Sequence, residues 1–201
     1  MTAYCEKTFT VRPTDADLWG FCRPSALLGY FQDAATAHAQ AFGMDRPDLV
    51  EQYHAAWLLV RIWYHLDVPI RQDDCLTIRT WHRGAGSLIV YRDFDVFRDG
   101  RRIGEAVTAW VVADLETRRM LRPKRIRPIA ESPVPEQVKT LELRLIHTPD
   151  GTEPVHTRAV RLSDLDVNGH MNNTKYADVA LDALLPEELA GRYVSGLQLN
   201  Y

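Results

Sequence analysis

At 201 residues, with 46% hydrophobic side chains, the chain is long enough to bury one large core or two small ones. A formal net charge of -3 gives no overall bias toward nucleic acid, and the scattered cysteines Cys5, Cys22 and Cys75 offer neither a disulfide framework nor the spacing of a metal site. The longest apolar run, Ala55 to Val60, falls far short of the roughly 20 residues of a membrane-spanning helix, and the first residues carry no apolar signal core, so a reducing cytoplasmic setting is expected.

Taken in chain order, the first strong feature is Val11-Arg12-Pro13-Thr14-Asp15-Ala16-Asp17-Leu18-Trp19-Gly20, because it returns without a gap as Val160-Arg161-Leu162-Ser163-Asp164-Leu165-Asp166-Val167-Asn168-Gly169. Valine, arginine, both aspartates and the glycine coincide at an offset of 149 residues, and the register persists to Asp33-Ala34 over Asp182-Ala183. Two copies of one unit are therefore expected. A helix follows the first motif, opened by Pro24, carrying Leu27, Tyr30, Phe31, Ala34 and His38 at helical spacing, and closed near Gly43. Strands are predicted over Trp57 to Val68 and Cys75 to His82, then a hairpin from Leu88 to Ala113 turning at Asp99-Gly100. The arginine- and proline-rich stretch 119–138 reads as a linker between a first unit, 1–118, and a second, 139–201. The second opens with alternating Leu141, Leu143 and Leu145 and passes the repeated motif. Its helix is capped by Asn173, has an apolar stripe at Tyr176, Val179, Ala180, Ala183 and Leu184, and is stopped by Pro186. A last strand runs from Val194 to Tyr201. The layout is α+β. Beside the first copy the second lacks its closing strands, so either more chain follows or another chain, a homodimer partner included, completes the sheet.

The segment Ser163-Asp164-Leu165-Asp166-Val167-Asn168-Gly169-His170-Met171-Asn172-Asn173, followed by Tyr176, resembles the signature of the acyl-acyl carrier protein (ACP) thioesterases. Gln32-Asp33-Ala34-Ala35 with His38 and Gly43, and Trp57-Leu58-Leu59-Val60-Arg61, are similar to the bacterial members. The resemblance spans nearly the whole chain. It implies a tandem hotdog fold, each unit a long helix wrapped by an antiparallel sheet, with the second unit truncated at its C-terminal strands. It further implies hydrolysis of fatty acyl-ACP thioesters in lipid metabolism, with the acyl tail held in the first unit and a phosphopantetheine-bearing ACP as partner. Asp166, Asn168 and His170 become the expected catalytic residues, and a further acidic or cysteine residue is implied on a strand beyond Tyr201. No cofactor and no metal are implied.

Thioester hydrolysis needs a nucleophile or base, a donor for the developing oxyanion, and shelter from bulk water. If the motif is extended, alternate side chains at 166, 168 and 170 point the same way and converge a carboxylate, an amide and an imidazole. Asp166 then serves as general base or nucleophile, His170 moves the proton, and Asn168 orients water or carbonyl. The neighbouring helix N-terminus would supply free N–H groups, and Gly169 a close backbone approach. In the first copy the equivalent residues are Asp17, Trp19 and Phe21, and since Trp19 and Phe21 can neither orient water nor move a proton, one active site per chain is expected. Asp164-x-Asp166-x-Asn168-Gly169 also matches the opening of a calcium loop, but its twelfth position is Lys175, a cation where a glutamate is required. Other functions consistent with these residues are an acyl-coenzyme A thioesterase of the same fold, a hotdog dehydratase, and a non-hydrolytic acyl-binding protein.

Overall fold

A computed structural model describes residues 3–131, 133–135 and 139–201. The first strand, β1 (Cys5–Thr10), precedes the long helix α1 (Pro24–Gln40) and the short helix α2 (Arg46–Tyr53). Four long strands follow: β2 (Ala55–Leu66), β3 (Cys75–His82), β4 (Val90–Arg98) and β5 (Arg101–Asp114). Later come β6 (Met120–Leu121), α3 (Arg127–Glu131), α4 (Lys175–Asp182), α5 (Pro186–Leu189) and β7 (Gly196–Asn200). One antiparallel sheet takes the order β1-β3-β4-β5-β2-β7, with β6 on the far part of β5.

The hairpin forms where the sequence places it. Asp99 and Gly100 both take positive φ, 52° and 75°, the two-residue turn whose twist matches that of the flanking strands. Pro24 occupies the first turn of α1, and the helix buries Leu27, Leu28, Phe31, Ala34 and Ala35. These pack on Ile62, Leu76, Ile78, Phe94, Val96 and Ala106 of the sheet. A long helix wrapped by an antiparallel sheet is the hotdog arrangement. A smaller core of Met44, Leu49, Ala55, Val90, Val112, Ile126 and Ile129 covers one end. Its last two residues show that the stretch expected to be linker packs against the first unit along its first part, through β6 and α3.

The second unit differs from the expectation in three ways. Its helix is not long: α4 spans eight residues, and Pro186 opens the separate helix α5 rather than ending α4. Proline sits here at the position that Ala37 holds in α1, where its missing N–H and its ring break the helix. The cap of α4 is not Asn173 either. Asn172, one residue earlier, accepts from Thr174 N at 2.9 Å and Thr174 Oγ1 at 2.8 Å, closing the turn before the helix begins. Finally, Leu141, Leu143 and Leu145 form no strand; Leu143 alone of the three is buried, and its carbonyl accepts from Arg61 Nη1 at 3.1 Å.

Strand β7 does not start a new sheet. It pairs antiparallel with β2, from His65–Gly196 to Arg61–Asn200, and so extends the first unit's sheet. Leu66 N donates to Ser195 O at 2.7 Å and Tyr201 N to Val60 O at 3.1 Å, carrying the ladder past both ends. Ala177 of α4 is buried in the same core as α1. Among the described residues, no helix is long and apolar enough to cross a membrane.

Candidate active site

The two motif copies fold into the same turn. In the first, Asp17 Oδ1 accepts from Trp19 N and Phe21 N, each at 2.9 Å, while Asp17 N donates to Phe21 O and Gly20 N to Asp17 O. In the second, Asp166 Oδ1 accepts from Asn168 N at 2.8 Å and His170 N at 3.4 Å, with Asp166 N donating to His170 O and Gly169 N to Asp166 O. Gly20 and Gly169 sit at φ of +78° and +72°, and nothing lies near the position of a missing Cβ at either. Their glycine serves the left-handed bend of the turn rather than a close approach.

That bend overturns the extended reading. The chain doubles back between 166 and 170, and Asp166 meets its neighbours by gathering backbone N–H groups. The Asn168 amide joins it, Nδ2 donating to Asp166 Oδ2 at 3.3 Å. Asp166 and Asn168 are thus brought together. The imidazole of His170, exposed on the surface, makes no hydrogen bond among the described residues. Nor does the start of α4 offer free donors. Lys175 N, Tyr176 N and Ala177 N donate to the carbonyls of Asn172, Asn173 and Thr174.

Asp164, two residues before Asp166, is buried and taken up by structure. Its carboxylate binds Arg158 and accepts from Arg161 N, and the Arg158 guanidinium holds it below the usual carboxylate range. In the first copy, Asp15 is held below that range by Arg12 and accepts from Tyr30 OH at 2.8 Å. Both aspartates anchor the 3-10 turn ahead of the motif, which removes Asp164 from any calcium site. Among the described residues no group of His, Cys, Asp or Glu is placed to hold a metal ion.

Behind the motif a narrow crevice of about 10 Å³, room for roughly one water, is lined by Asn173, Thr174 and Tyr201 on one side and by Phe31, Gln32 and Trp110 on the other. Tyr201 OH donates to Asn173 O at 2.9 Å and its ring meets Tyr176 edge-on, so β7 pins the start of α4. Gln32, Ala35 and Trp110 also line a cavity of about 180 Å³ between α1 and the sheet, walled by Met44, Trp57, Val90 and Ile129. This cavity holds a polar group that the sequence did not single out. Arg92 on β4, buried, donates to His38 Nδ1 at 2.8 Å and Thr80 Oγ1 at 3.3 Å, with His82 beside it. Burial first, then the nearby Arg92 charge, pushes His38 down to about 3 and His82 down to about 4.

The chain matches two family models: the acyl-ACP thioesterase N-terminal domain over residues 3–127, and the acyl-ACP thioesterase C-terminal domain over 148–201. It belongs to the acyl-ACP thioesterase family. Among members of that family, it is 24% identical over 222 aligned residues to the chloroplastic oleoyl-acyl carrier protein thioesterase of Coriandrum sativum, covering 99% of this chain and 58% of that one. It thus spans about three-fifths of the length of this relative. A crystal structure of an acyl-ACP thioesterase from Bacteroides thetaiotaomicron superposes with a TM-score of 0.82 at 27% identity, over 100% of this chain and 83% of that one. The 12:0-ACP thioesterase from Umbellularia californica has the same fold, with a TM-score of 0.79 at 21% identity, over 100% and 82% of the two chains. The thioesterase resemblance read from 163–176 thus holds for the family and the fold.

Proposed function

We propose that the chain hydrolyses fatty acyl-ACP thioesters to free fatty acid and carrier thiol. The observation that carries this reading is the crevice at Asn173 and Thr174, just past the motif, which shares Gln32, Ala35 and Trp110 with the apolar cavity against α1. A thioester whose carbonyl rests beside Asn173 has an apolar cavity of matching character for its tail on the other side of Gln32, Ala35 and Trp110. Asp166, as nucleophile or as the base that activates water, works with Asn168, whose amide already touches its carboxylate. The exposed His170 imidazole delivers the proton to the departing thiolate. Water adds to the thioester carbonyl carbon, the C–S bond breaks, and the thiol leaves protonated. The second unit bears this chemistry and the first holds the tail.

Membership in the family supports an ACP-borne substrate, and the free cysteines Cys5, Cys22 and Cys75 suit a reducing cytoplasm. The exposed cations Arg118, Arg119, Arg122, Lys124 and Arg125 form a basic stretch suited to an acidic carrier. The test is thiol release from acyl-ACP and acyl-coenzyme A at equal chain length, by the wild type and by His170→Ala. Faster release from ACP, lost in the variant, supports the reading. Equal rates favour a coenzyme A substrate, an enoyl product would mark a dehydratase, and release unchanged in His170→Ala removes the site.

A further inference from the structure

The cavity against α1 is apolar on most of its wall, yet it contains a permanent cation. Arg92 is only 8% exposed, and among the described residues it forms no ion pair with a carboxylate. The carboxylate next along β4, Asp93, is occupied by Arg83 at 2.6 Å. Asp45, also on the cavity wall, caps α2 by accepting from Asp48 N. Because a guanidinium is always a donor, His38 Nδ1 must accept from it, which puts the His38 proton on Nε2, a buried atom with no partner among the described residues. His82 Nδ1 accepts from Gly84 N at 2.9 Å, so its proton too is on Nε2. The guanidinium thus meets two neutral acceptors, His38 Nδ1 and Thr80 Oγ1, and no carboxylate among the described residues. Of the Arg92 nitrogens, Nη1 alone is engaged by described groups, and the side chain lines the cavity. A buried cation with no carboxylate directly paired to it among the described residues is costly, and a hydrocarbon tail packed against it leaves that cost in place.

We infer that this cavity selects acyl chains bearing a hydrogen-bond-accepting oxygen, as keto, hydroxyl or carboxylate, on the part that reaches Arg92, over plain hydrocarbon chains of equal length. The inference rests on reading the motif as a thioester site, because that places the chain's far part beyond Gln32 and Trp110, where Arg92 lies. A site built to bind a substrate oxygen discriminates strongly against the analogue lacking it, whereas a plain apolar pocket does not.

The test uses pantetheine thioesters of 8 to 16 carbons, each plain or carrying one keto, hydroxyl or carboxylate group in its distal half. These substrates bring no second carboxylate of their own. At the best length and position, thiol release should have a kcat/KM at least about tenfold above the plain chain. Arg92→Met should abolish that ratio, the plain chain in the same folded variant serving as its reference. The three oxygen classes tell a charged partner from a neutral one. Plain chains equal to or better than every oxygenated chain, or a ratio unchanged in folded Arg92→Met, overturn the inference; if the variant does not fold, the wild-type ratio decides. Failure to release thiol from any chain overturns the hydrolase reading instead, and calorimetric binding of the matching thioethers then decides the cavity: tighter oxygenated chains uphold the inference, tighter plain chains end it.

Discussion

Asp17 and Asp166 perform the same local task, each gathering two backbone N–H groups to close its turn, so their loss should have a shared structural cost and an unshared chemical one. Asp17→Ala and Asp166→Ala should each lower stability by about 1–2 kcal/mol, read as parallel drops in Tm. Asp166→Asn keeps the accepting Oδ1 and removes the charge. It should melt near the wild-type temperature while turnover falls by about 100-fold or more, and normal single-turnover rates in the folded variant would end the assignment of Asp166. The shared task was legible only in part. The repeat at 149 residues marked both aspartates and both glycines, but alternation of side chains presumed an extended strand where Gly169 instead bends the chain back. His38 stood out only as part of the helical stripe of α1, and its meeting with Arg92 and His82 was not legible because the three converge from three elements at irregular separations.

At the scale of elements, composition and turn chemistry were the reliable guides. Asp99-Gly100 announced its hairpin because both residues tolerate positive φ, and Pro24 announced α1. Pro186 was read as a stop, which is correct as to helix breaking and wrong as to place: α4 already ends at Asp182, and the proline opens α5. If the ring at 186 is what divides the two, Pro186→Ala should join them into one helix like α1. Far-UV circular dichroism should then show about one more helical turn, and an unchanged spectrum would locate the break in Ala183 to Leu185 instead. The basic stretch that runs into α3 mixes cations with no ion pair among the described residues and one engaged, since Arg127 pairs with Glu131 at 2.9 Å. Reversing Arg119, Arg122 and Arg125 should raise KM for acyl-ACP several-fold and leave a pantetheine thioester unaffected; equal changes on both would remove the docking role.

For the molecule as a whole, pH reports on the buried imidazoles. His38 and His82 ionise near 3 and near 4 in the folded state, against an ordinary 6.5, so the unfolded chain binds more protons between those values. Stability from this source is complete above about pH 6.5 and is lost as pH falls through 4 toward 3. Thermal melts should decline steadily from pH 6.5 to 4.5, above the range where the paired carboxylates titrate. His82→Gln should flatten that slope, and a wild-type Tm constant across the window would show that the imidazoles do not govern it. The repeated turn and the wrapped helix were legible from the repeat and from periodicity. The placement of β7 was not, because no local pattern says which edge a lone strand will join. Its choice of β2 sets an order of events during synthesis. Tyr64 reaches Val194 across 130 residues of sequence, so β2 leaves the ribosome long before its partner exists. At common elongation speeds that interval is roughly ten seconds, during which the nascent first unit presents an open edge. The motif turn is pinned only when Tyr201 reaches Asn173. The second unit is therefore a late arrival assembled on the sheet of the first, and any delay in translation lengthens the time that sheet edge stands exposed to other chains.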